Sequence, residues 1–115
     1  MNHLLTRLAF VMSFISAAAF AETHTIQEVA IEMNGVKFWI PSTIVVKKGD
    51  TVKIHAVSKI GGKNNIHGFA IDPFKVEALV NDKGMDIEFV ADKAWIFPIR
   101  CQLHPGHIGG QLVVL

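Results

Sequence analysis

The chain has 115 residues, with 11 Lys and Arg against 10 Asp and Glu, and half of its residues are hydrophobic. A chain of this length forms one domain, because a single hydrophobic core organises about 100 to 150 residues. Nucleic acid is not an expected partner, since binding to phosphates requires a surplus of Lys and Arg and the longest basic run is Lys47-Lys48.

The first 21 residues predict a cleaved export signal. Residues 1–7 include Arg7, residues 8–20 are almost wholly apolar, and Ala19-Phe20-Ala21 fits the small-x-small pattern of a signal peptidase site. The apolar stretch has 13 residues, fewer than the roughly 20 that cross a bilayer, so a permanent anchor is the weaker interpretation. We therefore expect a mature periplasmic or exported domain, residues 22–115, with no membrane span and no formal net charge.

Short apolar or alternating segments separated by turn residues predict an all-β domain. Strands are expected over residues 25–31, 36–40, 44–46, 51–57, 66–71, 87–90, 95–100 and 111–115. Residues 72–86 are expected to be less regular, because they contain Pro73 and Gly84. Several short strands at this spacing suggest a Greek-key β-sandwich or a small barrel.

The sole cysteine, Cys101, lies in the most informative part of the chain. With no internal disulfide possible, its thiol is either buried and inert, paired between chains, or held by a metal. Residues 101–107 read Cys-Gln-Leu-His-Pro-Gly-His, which places two imidazoles, His104 and His107, beside the thiol in a loop between two expected strands. This spacing has no packing rationale in a polar loop, and it suits copper or zinc.

A further ligand is needed to complete such a site. A trigonal Cys-His-His arrangement with a weaker fourth ligand is the pattern of electron-transfer copper sites, whereas Cys with three His also suits tetrahedral zinc. The missing histidine must come from a neighbouring strand, and His67 is the candidate because a polar loop enters a strand there. A single histidine at a strand start is more often a surface or core residue, so this assignment depends on family resemblance.

The mature chain resembles the cupredoxin family in three places. It has a Lys-Lys-Gly-Asp turn at 47–50 before a strand, an upstream histidine at a loop-to-strand junction (His67), and a Cys-x-x-His loop before the last strand (Cys101, His104). Within the family, residues 89–105 are most similar to the nitrosocyanins, which are red copper proteins. The resemblance implies one copper ion per chain, held by His67, Cys101, His104 and His107, a redox partner protein and, from the nitrosocyanins alone, a homotrimer.

Three departures from the family pattern refine this prediction. Amicyanin-type proteins have Cys-x-x-His-x-x-Met, and His107 stands in the place of that methionine. Nitrosocyanins carry a glutamate where this chain has His67. An imidazole in place of a distant thioether should draw copper out of the Cys-His-His plane, which predicts a red or green centre with a lowered reduction potential. An asparagine that often follows the upstream histidine and locks the loop is replaced by Gly68, and Asn65 is a candidate substitute.

The leading functional interpretation is a periplasmic one-electron carrier whose electron port is the exposed edge of His104 or His107. One alternative is a reactive copper site that binds nitric oxide or another small molecule. The other is a copper carrier or sequestering protein, whose partners would be copper donors and acceptors.

The remaining histidines and aromatic residues carry weaker predictions. His24 would be the third residue after cleavage, where its imidazole, the terminal amine and two backbone amides could chelate a second Cu(II), although chance explains a histidine there quite well and the second site is the weaker interpretation. His55 is expected to be an ordinary exposed strand histidine. Four aromatic side chains are expected to form the core or line the site, namely Trp39, Phe69, Trp95 and Phe97.

Overall fold

The computed structural model describes residues 20–62, 65–104 and 106–115. The predicted signal segment, residues 1–21, lies almost wholly outside this described part. Among the described residues, no helix is long and apolar enough to cross a bilayer. The elements in chain order are β1 (Thr23–Met33), β2 (Val36–Ile40), β3 (Thr43–Val46), β4 (Thr51–Ser58), β5 (His67–Ile71), a 3₁₀ turn (Asp72–Phe74), β6 (Val76–Val80), β7 (Met85–Val90), β8 (Trp95–Arg100) and β9 (Ile108–Val114).

The strands form two mixed sheets that pack as a sandwich. The four-stranded sheet has the order β2-β1-β4-β7, and the five-stranded sheet has the order β3-β9-β8-β5-β6. The pairs β1–β4 and β3–β9 are parallel, and the other neighbours are antiparallel. One apolar core lies between the sheets, and its largest fully buried hydrophobic side chains include Trp39, Phe69, Ile54, Ile71 and Leu112. The prediction of an all-β sandwich is confirmed.

Strand β4 shows why the alternating segments fold as they do. Val52, Ile54 and Ala56 are buried against the core, while Lys53 between them is exposed. Successive side chains of a strand point to opposite faces, so this alternation buries one face and hydrates the other.

The structure corrects two predictions made from the sequence. Residues 76–80, expected to be irregular, form β6, in which Val76, Ala78 and Val80 are buried and the residues between them are exposed. This period-two signal was obscured by nearby Pro73 and by Glu and Ala, which have low β-propensity. Trp95, expected in the core, is 73% exposed at the start of β8.

The sheet topology brings the two predicted ligand segments to one end of the sandwich. Strand β5 begins at His67, and the neighbouring β8 runs antiparallel to it with Ala70 opposite Arg100. The loop 101–107 follows Arg100 and returns the chain to β9. Because β5 starts where β8 ends, His67 and the cysteine loop meet at the same sheet end.

Candidate metal centre

Cys101 is held at the first position after β8 by a compact set of hydrogen bonds. Its side chain is 1% exposed, and the Gly68 backbone N–H donates to its Sγ at 3.2 Å. Within the loop, Cys101 N–H donates to the His107 carbonyl (3.2 Å), His104 N–H to the Cys101 carbonyl (3.1 Å) and His107 N–H to the His104 carbonyl (3.0 Å). The sulfur therefore has a fixed backbone and a hydrogen-bond donor from the neighbouring strand β5.

His104 is the surface member of the predicted ligand set. Its Nδ1 lies 3.5 Å from Cys101 Sγ, while the residue as a whole is exposed. The structure thus places one imidazole nitrogen next to the sulfur at the boundary between protein and solvent.

His67 is the most deeply buried histidine of the predicted ligand set. It is 1% exposed, its ring centroid lies 5.7 Å from that of His107 and 5.2 Å from that of Trp39, and its Nε2 has no hydrogen-bond partner among the described residues. Burial is the main cause that lowers the pKa of His67 to about 4, with smaller electrostatic contributions from His107, Lys37 and His104. The imidazole is therefore neutral at pH 7, which is the form that binds metals.

The donor chemistry fits copper or zinc. His107 is half-buried, and its Nε2, like that of His67, is buried without a partner among the described residues. Buried polar atoms nearly always have partners, so these two imidazole nitrogens are available to bind a metal ion of the kind that Cys and His side chains hold.

The four side chains do not form a closed ligand set. Across residues 20–62, 65–104 and 106–115, no three His, Cys, Asp or Glu side chains are already gathered as a metal-binding group. The structure instead shows two neighbouring pairs, Cys101 with His104 and His67 with His107. These pairs are linked through the Gly68 N–H bond to the sulfur.

Gln102 is a site residue that the sequence analysis missed. Its Nε2 donates to the Ala78 carbonyl on β6 at 3.0 Å, which ties the loop to the sheet. A Cβ on Gly68 would overlap Gln102 Oε1 and would lie 2.9 Å from the Gln102 backbone N. The hydrogen bond that ties the loop to the sheet among the described residues therefore comes from Gln102, and the absence of a side chain at Gly68 is the sequence signal that could have indicated it. The contribution of Asn65 stays a prediction.

The opposite sheet closes the buried side of the site. Trp39 on β2 is fully buried and its ring contacts those of His67 and Phe69, each at a centroid distance of 5.2 Å. A Cβ on Gly109 would lie 3.1 Å from Trp39 Cδ1 and 3.6 Å from His67 Nε2, so glycine at this position lets the indole approach. The prediction that Trp39 and Phe69 are core residues is thus confirmed.

The other two histidines among the described residues lie outside this cluster. His55 Nδ1 lies 2.7 Å from Asp86 Oδ1 on an exposed face, which confirms the prediction of a surface strand histidine. His24 Nε2 lies 2.8 Å from Asp50 Oδ2, and the Glu22 backbone N also bonds that carboxylate. Asp50 therefore competes for groups that a terminal copper site would use.

No protein-family model matches the sequence, and no curated protein matches it significantly. Solved structures do resemble it. A copper nitrite reductase from Nitrosomonas europaea superposes with a TM-score of 0.62 at 16% identity, covering 80% of this chain and 41% of its own. The periplasmic domain of cytochrome oxidase subunit II from Bradyrhizobium japonicum gives 0.55 at 19% identity, covering 79% of this chain and 83% of that domain.

A purple cupredoxin from Nitrosopumilus maritimus is also similar, with a TM-score of 0.54 at 18% identity, and the alignment covers 78% of this chain and 99% of that protein. This chain thus spans about two fifths of the nitrite reductase but nearly the whole length of the single-domain cupredoxin. Identities this low show the fold alone. The chain therefore has the cupredoxin fold.

Proposed function

We propose that the protein is a periplasmic copper protein that transfers single electrons, with copper held by Cys101, His104, His107 and His67. The observation that carries this proposal is the pair of buried imidazole nitrogens, on His67 and His107, that have no partners among the described residues, in rings whose centroids lie 5.7 Å apart. Copper, when bound, supplies the Cu(II)/Cu(I) couple.

The surrounding protein suits this role because it restrains the donors. The Gly68 N–H bond to Cys101 Sγ and the Gln102 bond to β6 hold the sulfur and its loop in place. A restrained ligand set needs little reorganisation between two oxidation states, which favours fast electron transfer. Trp39 shields His67 from water on the opposite side.

The outer rim suits a redox partner. His104 is exposed, and two apolar residues near it in the chain, Leu103 in the loop and Ile108 at the start of β9, are 47% and 62% exposed. Exposed apolar side chains at this end of the sandwich suit a contact surface that excludes water, so His104 is the favoured electron port.

A red or green centre is the favoured type. His107 occupies the position of the axial methionine in amicyanin-type loops, and the nitrosocyanin resemblance of the loop implies a non-blue site. One of the similar solved structures is a purple cupredoxin, and this likeness supports a colour other than blue.

The test is the optical and paramagnetic resonance spectrum of the copper-loaded mature protein. We expect red or green thiolate-to-copper absorption, which Cys101→Ser should abolish. His107→Met should move the spectrum towards blue and raise the reduction potential, because a thioether binds Cu(II) more weakly than an imidazole does. A wild-type spectrum of the ordinary deep blue type would contradict the role of His107, and an absence of thiolate absorption would contradict the copper site.

A copper carrier is the second candidate. The arrangement of the donors in two pairs, with His104 exposed, favours it because an incompletely gathered site can release its metal. The two functions differ in metal retention. A carrier should pass copper to a chelating partner within a few redox cycles, whereas an electron carrier should keep it.

A further inference from the structure

The end of the sandwich opposite the cysteine loop contains a buried carboxylate with an unusual set of donors. Asp50 is 2% exposed and directly precedes β4. Its Oδ1 accepts the Glu22 backbone N–H at 2.9 Å, and its Oδ2 accepts the Lys47 N–H at 2.9 Å and lies 2.8 Å from His24 Nε2. These contacts lower the pKa of Asp50 to about 2, with the Glu22 N–H bond as the largest cause. Asp50 is therefore a carboxylate at all physiological pH values.

The predicted processing site lies directly beside this carboxylate. Phe20, Ala21 and Glu22 are exposed, and β1 begins one residue later at Thr23. The Glu22 carbonyl already accepts the Thr51 N–H at 2.9 Å, so residue 22 is in register with the sheet.

We propose that removal of the signal segment after Ala21 completes a binding site for the new amino terminus, in which the Glu22 ammonium pairs with the buried Asp50 carboxylate. This inference rests on the export that forms part of the proposed function. Hydrolysis breaks the Ala21–Glu22 peptide bond, water supplies a hydroxyl to the Ala21 carbonyl and a proton to the Glu22 nitrogen, and the amine takes up a second proton from solvent. The atom that bonds Asp50 thereby changes from a neutral peptide donor to a cation.

The geometry favours the processed form. A peptide nitrogen offers Asp50 one neutral donor, whereas an ammonium offers three donors and a full positive charge. Titratable groups beside the pair include His24, whose Nε2 lies 2.8 Å from Asp50 Oδ2, and the Glu22 carboxylate, whose Oε2 lies 3.9 Å from His24 Nε2. Lys47 and Lys48 belong to the same turn as Asp50. Because Thr23 pairs with Thr51, the ammonium would fasten the start of β1 to the start of β4.

The experiment compares a chain that begins at Glu22 with a chain that retains Ala21, each with and without Asp50→Asn. The longer chain keeps the Glu22 N–H donor but moves the charge one residue away. We expect the Glu22 chain to melt about 4 °C higher or more, a shift readily measured in a domain of this size, and the difference to vanish in the Asp50→Asn pair. Equal melting of the first pair, or a difference that persists in the second, would overturn the proposal.

A second measurement covers the case in which Asp50→Asn does not fold. The pKa of the Glu22 amine, followed by its rate of acylation against pH, should lie above its ordinary value of about 8, because the carboxylate favours the charged form. The added stability is then present below about pH 8 and is lost as the pH rises through the raised pKa. An amine with an ordinary pKa would overturn the proposal.

Failure of this inference can be distinguished from failure of the copper proposal. The mass of the exported protein should match a chain that starts at Glu22, and any other start would overturn the terminal site alone. The copper spectrum should be the same with and without Ala21, because the metal centre lies at the other end of the sandwich. A protein without copper absorption would leave the melting comparison unaffected.

Discussion

Glu28 is a buried carboxyl group whose pKa is strongly raised by the fold. It lies on β1 between Ile26 and Ala30 on the inward face, it is fully buried, and both its carboxylate oxygens lack partners among the described residues. Burial raises its pKa to about 8, because a carboxylate in an apolar environment loses its hydration. Glu28 is therefore mostly protonated at neutral pH.

This burial predicts a pH dependence of stability for the metal-free protein. Between about pH 6.5 and 8 the folded protein holds a proton on Glu28 that the unfolded chain, with its ordinary pKa of 4.5, has released. Stability should thus fall as the pH rises, with a slope that approaches about 1.4 kcal/mol per pH unit. His67 does not contribute in this range, since its lowered pKa affects stability only between about 4 and 6.5.

Glu28→Gln is the matched variant for this prediction, because it keeps the shape of the side chain and removes the titration. Denaturant unfolding measured across the pH range should show a flat profile for Glu28→Gln. The same slope in both proteins would mean that another group titrates.

At the level of elements, the contact between β5, β6 and the cysteine loop depends on a glycine and a glutamine. Gln102 occupies the space that a side chain on Gly68 would need, and it bonds the Ala78 carbonyl. Each residue is explained by the other, and the sequence does not show that they are in contact.

Because a side chain on Gly68 and the side chain of Gln102 would occupy the same space, the unfolding free energies of substitutions at the two positions should not be additive. Gly68→Ala should destabilise the protein by about 1 to 3 kcal/mol through overpacking. Gln102→Ala should cost about 1 kcal/mol for the lost hydrogen bond. The double variant should cost less than the sum, because truncation of Gln102 removes the overlap of the new methyl group with Oε1 and leaves only its close contact with the Gln102 backbone N.

The measurement is chemical unfolding of the two single variants and the double variant, with the copper spectrum as a second readout. If Gln102 positions the sulfur, Gln102→Ala should also change the energy of the thiolate absorption. Additive unfolding energies together with an unchanged spectrum would show that the two residues act independently.

For the molecule as a whole, the proposed ligands join segments that are distant in the chain. His67 comes from β5 and Cys101 from the end of β8, so bound metal would link two neighbouring strands at one end of the sandwich. A ligand that binds only the folded state stabilises it by mass action.

Copper should therefore raise the melting temperature in a concentration-dependent way. Above saturation, each tenfold increase in free metal should add about 1.4 kcal/mol of stability. Cys101→Ser should lose most of this effect, while His24→Ala, which changes the opposite end, should retain it with the full copper content. Loss of one of two copper ions in His24→Ala would instead indicate a second site at the amino terminus.

Several features could be read from the residues because their signals are local. The alternation of β4 follows from the two-residue period of any strand. The turn at 47–50 is formed as expected, with Asp50 N–H donating to the Lys47 carbonyl and Gly49 at a φ of 96°. The close neighbourhood of Cys101 and His104 likewise follows from their spacing in one loop.

Other features depend on partners that lie far away in the chain, and only the folded structure shows them. Tryptophan is a residue type expected in a core, but Trp95 is exposed because it lies at the start of β8. Glutamate is a residue type expected at the surface, but Glu28 is buried because β1 is an inner strand of its sheet. Local residue patterns specify strands and candidate ligands, whereas burial and contacts across the two sheets arise only when those strands pack together.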